Sequence, residues 1–138
     1  MPIAGEVFVK ERFVFEDGST RDKWFVVLNQ SEINEPCLAL KTTSVPDRYI
    51  GCTQGCNQSR RCFFTPNAWQ SCFRVDTFIQ LPQIIEFPSD KLIKAGFDGE
   101  IIFKGSITSD CLSQLKSCLA RFKDDISTIH WNLIYRNR

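Results

Sequence analysis

The sequence predicts a mainly β domain of the β-plus-α class: a small barrel with one helix packed on it near the C-terminus. Three observations predict it. Short runs rich in Val, Ile, Phe, Trp and Thr recur along the chain, separated by Gly, Pro, Asn and Asp. Only one stretch, opening at Ser109, has convincing helical spacing. No repeat or linker interrupts the 138 residues, so a single domain is expected over 1–138, long enough to bury a core without staples.

Residues 6–15 alternate or run apolar and read as the first strand. Residues 16–22, centred on Asp17-Gly18, have turn chemistry, and Lys23 to Asn29 form the second strand. "SEINEP" breaks the pattern before a third strand from Cys37 to about Thr43. Residues 44–72 are rich in Cys, Gly, Asn, Gln and Arg and read as a long loop, with a short strand at "CFF". "FRVDTFIQL" is the next strand, ended by Pro82, and "QIIEF" a short strand or 3₁₀ piece before Pro88. "DGEIIFKG" gives one more strand. Thr108 is then an N-cap for a helix over about 109–124, with Asp110 in its first turn and Leu112, Leu115, Leu119 and Phe122 on one stripe. The tail, 127–138, alternates as a last strand with Trp131, Leu133 and Tyr135 on one side.

Seventeen Lys and Arg against sixteen acidic residues leave a net charge of +1, without the broad basic excess of many nucleic-acid binders; local clusters such as Arg60-Arg61 remain. No apolar run reaches the length of a membrane span, and the first residues lack a signal-peptide h-region. A cytoplasmic protein without membrane contact is expected. Its seven Cys are then expected as thiols or ligands rather than disulfides, and the odd number argues against a closed disulfide framework.

Arg74 and Asp76 stand two apart in the expected strand and would project from one face. The bland reading is an exposed ion pair worth roughly 0–1 kcal/mol. The functional one is RNA cleavage, with Asp76 accepting the proton of an attacking 2′-hydroxyl and Arg74 holding the phosphate and stabilising its developing charge. In "KTTS" a hydroxyl of Thr42 or Thr43 would donate to a phosphate oxygen beside Lys41; the bland reading is a β-favouring strand end. Lys23, Lys41, Arg48, Arg60 and Arg61 are candidate RNA contacts. Cys52, Cys56, Cys62 and Cys72 are a zinc candidate of low weight, since only the first spacing fits a knuckle. Cys37, Cys111 and Cys118 are expected in or near the core. His130, the single His, has no local partner suited to a thiol protease and reads as structural.

The order of these pieces resembles the MazF/PemK family of bacterial toxin endoribonucleases. "GEV" at Gly5 to Val7 looks like the family's opening strand, "KWFVVLNQ" its second and "CLALKTTS" its third. "RVDTFIQL" resembles its Arg-x-Asp strand, and "FPSDKLIKAGFDG" followed by "SITSDCLSQLKSCLARF" its closing turn and helix; the likeness spans about residues 5–126. It implies a small SH3-like β-barrel of the MazF/CcdB toxin type with a C-terminal helix, a homodimer, and a cognate antitoxin protein as partner. It implies cofactor-free cleavage of single-stranded RNA by 2′-hydroxyl attack, leaving a 2′,3′-cyclic phosphate, and matches its functional residues to Arg74, Asp76 and Thr42, with Thr43 the fallback. Lys23-Trp24 stands where the family has Arg-Pro, and Thr77 where it has Gln. The alternative is a non-catalytic barrel module that binds RNA or a protein partner.

Overall fold

A computed structural model of the chain describes residues 2–67, 69 and 71–136. Among the described residues seven antiparallel strands form one sheet: β1 (Glu6–Val14), β2 (Thr20–Val27), β3 (Pro36–Thr43), β4 (Gly55–Asn57), β5 (Cys62–Thr65), β6 (Thr77–Pro88) and β7 (Ile101–Ser106). Their order is β4-β5-β6-β3-β2-β1-β7. The two end strands do not pair with each other, so the sheet is open, which corrects the expectation of a closed barrel. Three helices among the described residues accompany it: α1 (Ser89–Phe97), α2 (Ser109–Ala120) and α3 (Thr128–Tyr135).

Strand alternation sorts the side chains onto two faces. On one, Val7, Val26, Leu28, Leu38, Leu40, Phe63 and Ile79 pack against Cys111, Leu115, Leu119 and Phe122 of the α2 region and Ile134 of α3. On the other, Phe8, Phe25, Val27, Cys37, Ala39 and Phe87 pack with Leu92 of α1 and Ile101 of β7. α2 starts as expected: the Thr108 hydroxyl accepts the Cys111 N–H at 3.1 Å. It ends at Ala120, short of the expected 124, and a 3₁₀ turn follows at Lys123–Asp125.

Several expectations are corrected. β2 begins at Thr20, inside the expected turn. The 44–72 loop contains β4 and two 3₁₀ turns, Asp47–Tyr49 and Gln58–Arg60. Pro82 does not end its strand: β6 runs on to Pro88, and Pro82, after a cis Leu81-Pro82 bond, falls in the bulge where the β3–β6 register shifts. Proline is tolerated there because the bulge asks no ladder hydrogen bond of it. α1 was not expected at all. The tail is a helix rather than a strand: the Ser127 hydroxyl caps it by accepting the His130 N–H, and the rings of Trp131 and Tyr135, four apart, meet in a tilted contact at 4.1 Å. It is clamped by Tyr135, whose hydroxyl donates to Lys116 O at 2.6 Å, and by Arg136, which grips both carboxylate oxygens of Glu35.

Cys56 of β4 and Cys118 of α2 form a disulfide. This corrects the expectation that all seven cysteines are thiols or ligands; five remain free.

Candidate functional site

The segment holding Arg74 and Asp76 is not a strand; β6 begins at Thr77. Phe73 is 3% exposed and Val75 57%, although the two would share one face of a strand. Phe73 is instead an anchor, its ring 6.0 Å from that of Trp24. The segment lies close on β7: a Cβ added to Gly105 would stand 2.9 Å from the Cβ of Cys72. Arg74 and Asp76 are both exposed, and no ion pair joins them among the described residues. The Asp76 carboxylate instead accepts the Asn67 N–H at Oδ1, 2.8 Å, which ties the start of β6 to the turn after β5.

The two threonines separate cleanly. Thr42 pairs with Ile79, is 4% exposed and donates its hydroxyl to Trp24 O at 3.1 Å. It faces the α2 side of the sheet as a structural hydrogen-bonding group. Thr43 pairs with Phe78 and is partly exposed on the opposite face; its oxygen accepts the Val45 N–H at 3.1 Å, leaving its proton to donate elsewhere. Of the two, geometry favours the fallback.

Thr43 shares its face with Lys41, which stands opposite Phe25 of β2. Continuing that register places Lys23 opposite Thr43. Lys23 is in turn directly across from Lys10 of β1. Arg21 lies two residues from Lys23, its guanidinium 4.2 Å from the Phe15 ring centre, with the Lys23 ammonium 5.7 Å from the same ring. Among the described residues no salt bridge involves Lys10, Arg21, Lys23 or Lys41. Burial first, and then the charges of Lys41 and Arg21, pull the Lys23 amine down to about 8. Across the strands this line runs Lys23, Thr43, Phe78, about 10 Å from end to end, with Asp76 two residues beyond Phe78. A row of cations beside a hydroxyl can seat a phosphodiester; the Asp76 carboxylate lies beyond the paired ladder, in the irregular segment before β6, where it accepts the Asn67 N–H. Arg21 and Lys10 were missed in the sequence; strand parity around Lys23 was the signal, obscured for Arg21 by its assignment to a turn.

The remaining candidates lie off this face of the ladder or outside it. Arg60 donates to Ile50 O at 2.7 Å and also to Arg48 O, bracing its own loop. Arg61 lies 3.7 Å from Asp125 and over the Phe122 ring, so it joins the loop to the end of α2. Arg48 is exposed on the 3₁₀ turn. The zinc candidate dissolves: Cys56 is bonded to Cys118, and no cluster of metal-binding side chains occurs among the described residues. Cys62 is buried beside Cys52, and burial above all pushes its thiol up to about 12. Cys37 and Cys111 are buried as expected, raised to about 12 and about 11 by the same cause. His130 contacts Glu86 at 2.5 Å, a surface link between α3 and β6.

No family model matches the chain, and no curated protein matches it. Among the described residues no helix is long and apolar enough to cross a membrane.

Proposed function

We propose that the protein is a toxin-like endoribonuclease of the MazF/PemK type, an opened relative of the SH3-like barrel that acts on single-stranded RNA. The observation that carries this reading is the row of Lys23, Lys41, Arg21 and Lys10 beside Thr43 on one face, with Asp76 two residues before Phe78 in the chain. Asp76 takes the proton of the 2′-hydroxyl as its oxygen bonds to phosphorus. Thr43, Lys41 and Arg74 stabilise the equatorial oxygens. The P–O5′ bond breaks, giving a 2′,3′-cyclic phosphate. Arg74 keeps its proton at any working pH. Lys23 is the better donor to the leaving 5′-oxygen, because its depressed pKa lies near neutrality. A homodimer and an antitoxin with an acidic segment able to cover the cationic face belong to the same reading.

The test is cleavage of a mixed-sequence RNA with and without EDTA. Cleavage should persist in EDTA and fall about 10²-fold or more in Asp76→Asn and Arg74→Ala variants with unchanged circular dichroism. Full activity in both variants refutes the site. A second reading, binding without cleavage, is favoured by the irregular segment that carries Arg74 and Asp76. Retarded but intact RNA in the same assay would establish it.

A further inference from the structure

The Cys56–Cys118 bond is not sealed inside the core: both of its residues line a cavity of about 270 Å³ between α2 and the paired β4 and β5. Ser113, Gln114, Ser117, Cys118 and Arg121 line it from α2 and its cap, at positions that share one side of a helix. Cys111, Leu115 and Leu119 are buried in the core against the sheet. The two bonded residues differ in access. Cys118 is 1% exposed, whereas Cys56 is partly exposed. Arg121 is the only charged side chain in the lining. It is itself exposed, its Nη1 lies 3.4 Å from Gln58 Oε1, and it joins no salt bridge among the described residues.

We infer that this cavity is a thiol–disulfide exchange site, where a small anionic thiol of the glutathione class attacks Cys56 and is held there as a mixed disulfide. The thiolate is the attacking form, and access decides which sulfur it reaches. Its sulfur bonds to Cys56 Sγ. The electron pair of the broken S–S bond leaves on Cys118 Sγ, and that thiolate takes a proton from water. One disulfide replaces another, so no oxidant is consumed. A second thiolate can then attack the ligand's sulfur, releasing the two ligand molecules joined to each other and leaving Cys56 reduced. Cys118 sits in the last turn of α2, where the carbonyl end of the helix disfavours an anion; the guanidinium three residues on offsets that. Charge and shape select the ligand. Arg121 grips a carboxylate, and Ser113, Gln114 and Ser117 offer hydroxyls and an amide to peptide groups. The space falls just below the ~300–1,000 Å³ of sites that enclose drug-sized molecules. It admits the thiol end of a tripeptide, whereas a protein reductase would have to bring a folded surface to a bond set back in a hollow. The exchange unfastens α2 from β4, and it holds whether or not the chain cleaves RNA.

The test is reduction of the full chain by glutathione and, separately, by uncharged 2-mercaptoethanol, with alkylation and peptide mass analysis of Cys56 and Cys118. Peptide resolution is needed because Cys52 and Cys72 are free and partly exposed. Each rate is compared at equal thiolate concentration and divided by that thiol's rate on a small open-chain disulfide. Glutathione should then open the bond about threefold or more faster than mercaptoethanol, and Arg121→Gln or about 0.5 M salt should erase the difference. The rate should rise in proportion to thiol concentration. Acid quenching during the reaction should trap glutathione on the Cys56 peptide. A rate independent of thiol concentration would mean that the bond opens only after unfolding, and equal rates for the two thiols would mean that the cavity does not select. Either result overturns the proposal, as does glutathione trapped on Cys118 or on neither residue.

Discussion

The two faces of the sheet are built on different principles. The α2 face mixes aliphatic and aromatic side chains and is covered by two helices: Leu38, Leu40, Phe63, Leu115 and Leu119 are fully buried, and a disulfide binds α2 to the far edge strand. The α1 face is aromatic and only partly covered. Phe8, Phe25 and Phe87 lie beneath the short α1, and the sheet then runs out into Phe13, Phe15 and a row of cations. One face spends its side chains on packing. The other leaves hydrocarbon and charge where a ligand can reach them, at the cost of holding Lys10 directly across from Lys23. Stability should therefore reside on the first face and binding on the second.

That contrast can be broken by four measurements. The largest effect is expected from Leu115→Ala, at about 2–5 kcal/mol in urea unfolding, because a fully buried side chain leaves a cavity. A loss under 1 kcal/mol would show the α2 face to be loosely packed. Next, replacing both Cys56 and Cys118 with Ser should cost about 2–4 kcal/mol, since the bond closes a separation of 62 residues. Dithiothreitol should reproduce that loss in wild type and change nothing in the variant.

The third measurement separates neighbouring residues on opposite faces. Thr42→Val removes the bond to Trp24 O and should cost about 1 kcal/mol of stability. Thr43→Val should leave stability nearly unchanged and lower RNA cleavage or binding. The reverse pattern would exchange the roles of the two faces.

The smallest effect concerns Lys23→Met. The Lys23 pKa drops from 10.5 in the unfolded chain to about 8 on folding. Between those values the unfolded chain holds a proton that the folded chain has shed, so this group makes stability rise with pH there. Below pH 8 its burial opposes folding in full. The Met variant should accordingly melt above wild type at pH 7, with the gap closing as pH rises from 8 toward 10.5. Lys10, Arg21 and Lys41 face Lys23 and persist in both proteins, so the comparison isolates one amine.

Much of this architecture could be read in the sequence, and the failures have physical causes. β1, β3 and β7 were legible because alternation and β-branched content agree there, and α2 because the Thr108 cap and the leucine stripe coincide. α3 was mistaken for a strand because Trp131, Leu133 and Tyr135 fit a period of two, and eight residues are too few to separate the two periods. Its true signal was Ser127, a capping residue. α1 was hidden by Gly96 near its end and by Pro88 just before it, both of which read as turn chemistry. At 73–76 the alternation of Phe73 and Val75 was genuine in sequence but overridden by the docking of Phe73 against Trp24. The choice between Thr42 and Thr43 depended on strand parity relative to the core, which a sequence with two adjacent threonines leaves open. The Cys56–Cys118 pairing was invisible because spacing does not reveal partners so far apart in the chain.

That cross-link has a mechanical consequence. β4 lies at one margin of the sheet, whereas α2 follows the strand at the other margin, so the bond closes a covalent ring through β5, β6, α1 and β7. Tension applied to the two ends of the chain bypasses that ring, since force passes from residue 56 to residue 118 through sulfur. Fully stretched, the oxidised protein should be shorter than the reduced one by the reach of 62 residues, about 200–220 Å. Pulled from its termini, the molecule would surrender β1, β2, β3 and the C-terminal helix to the load while the ringed segment carries none of it.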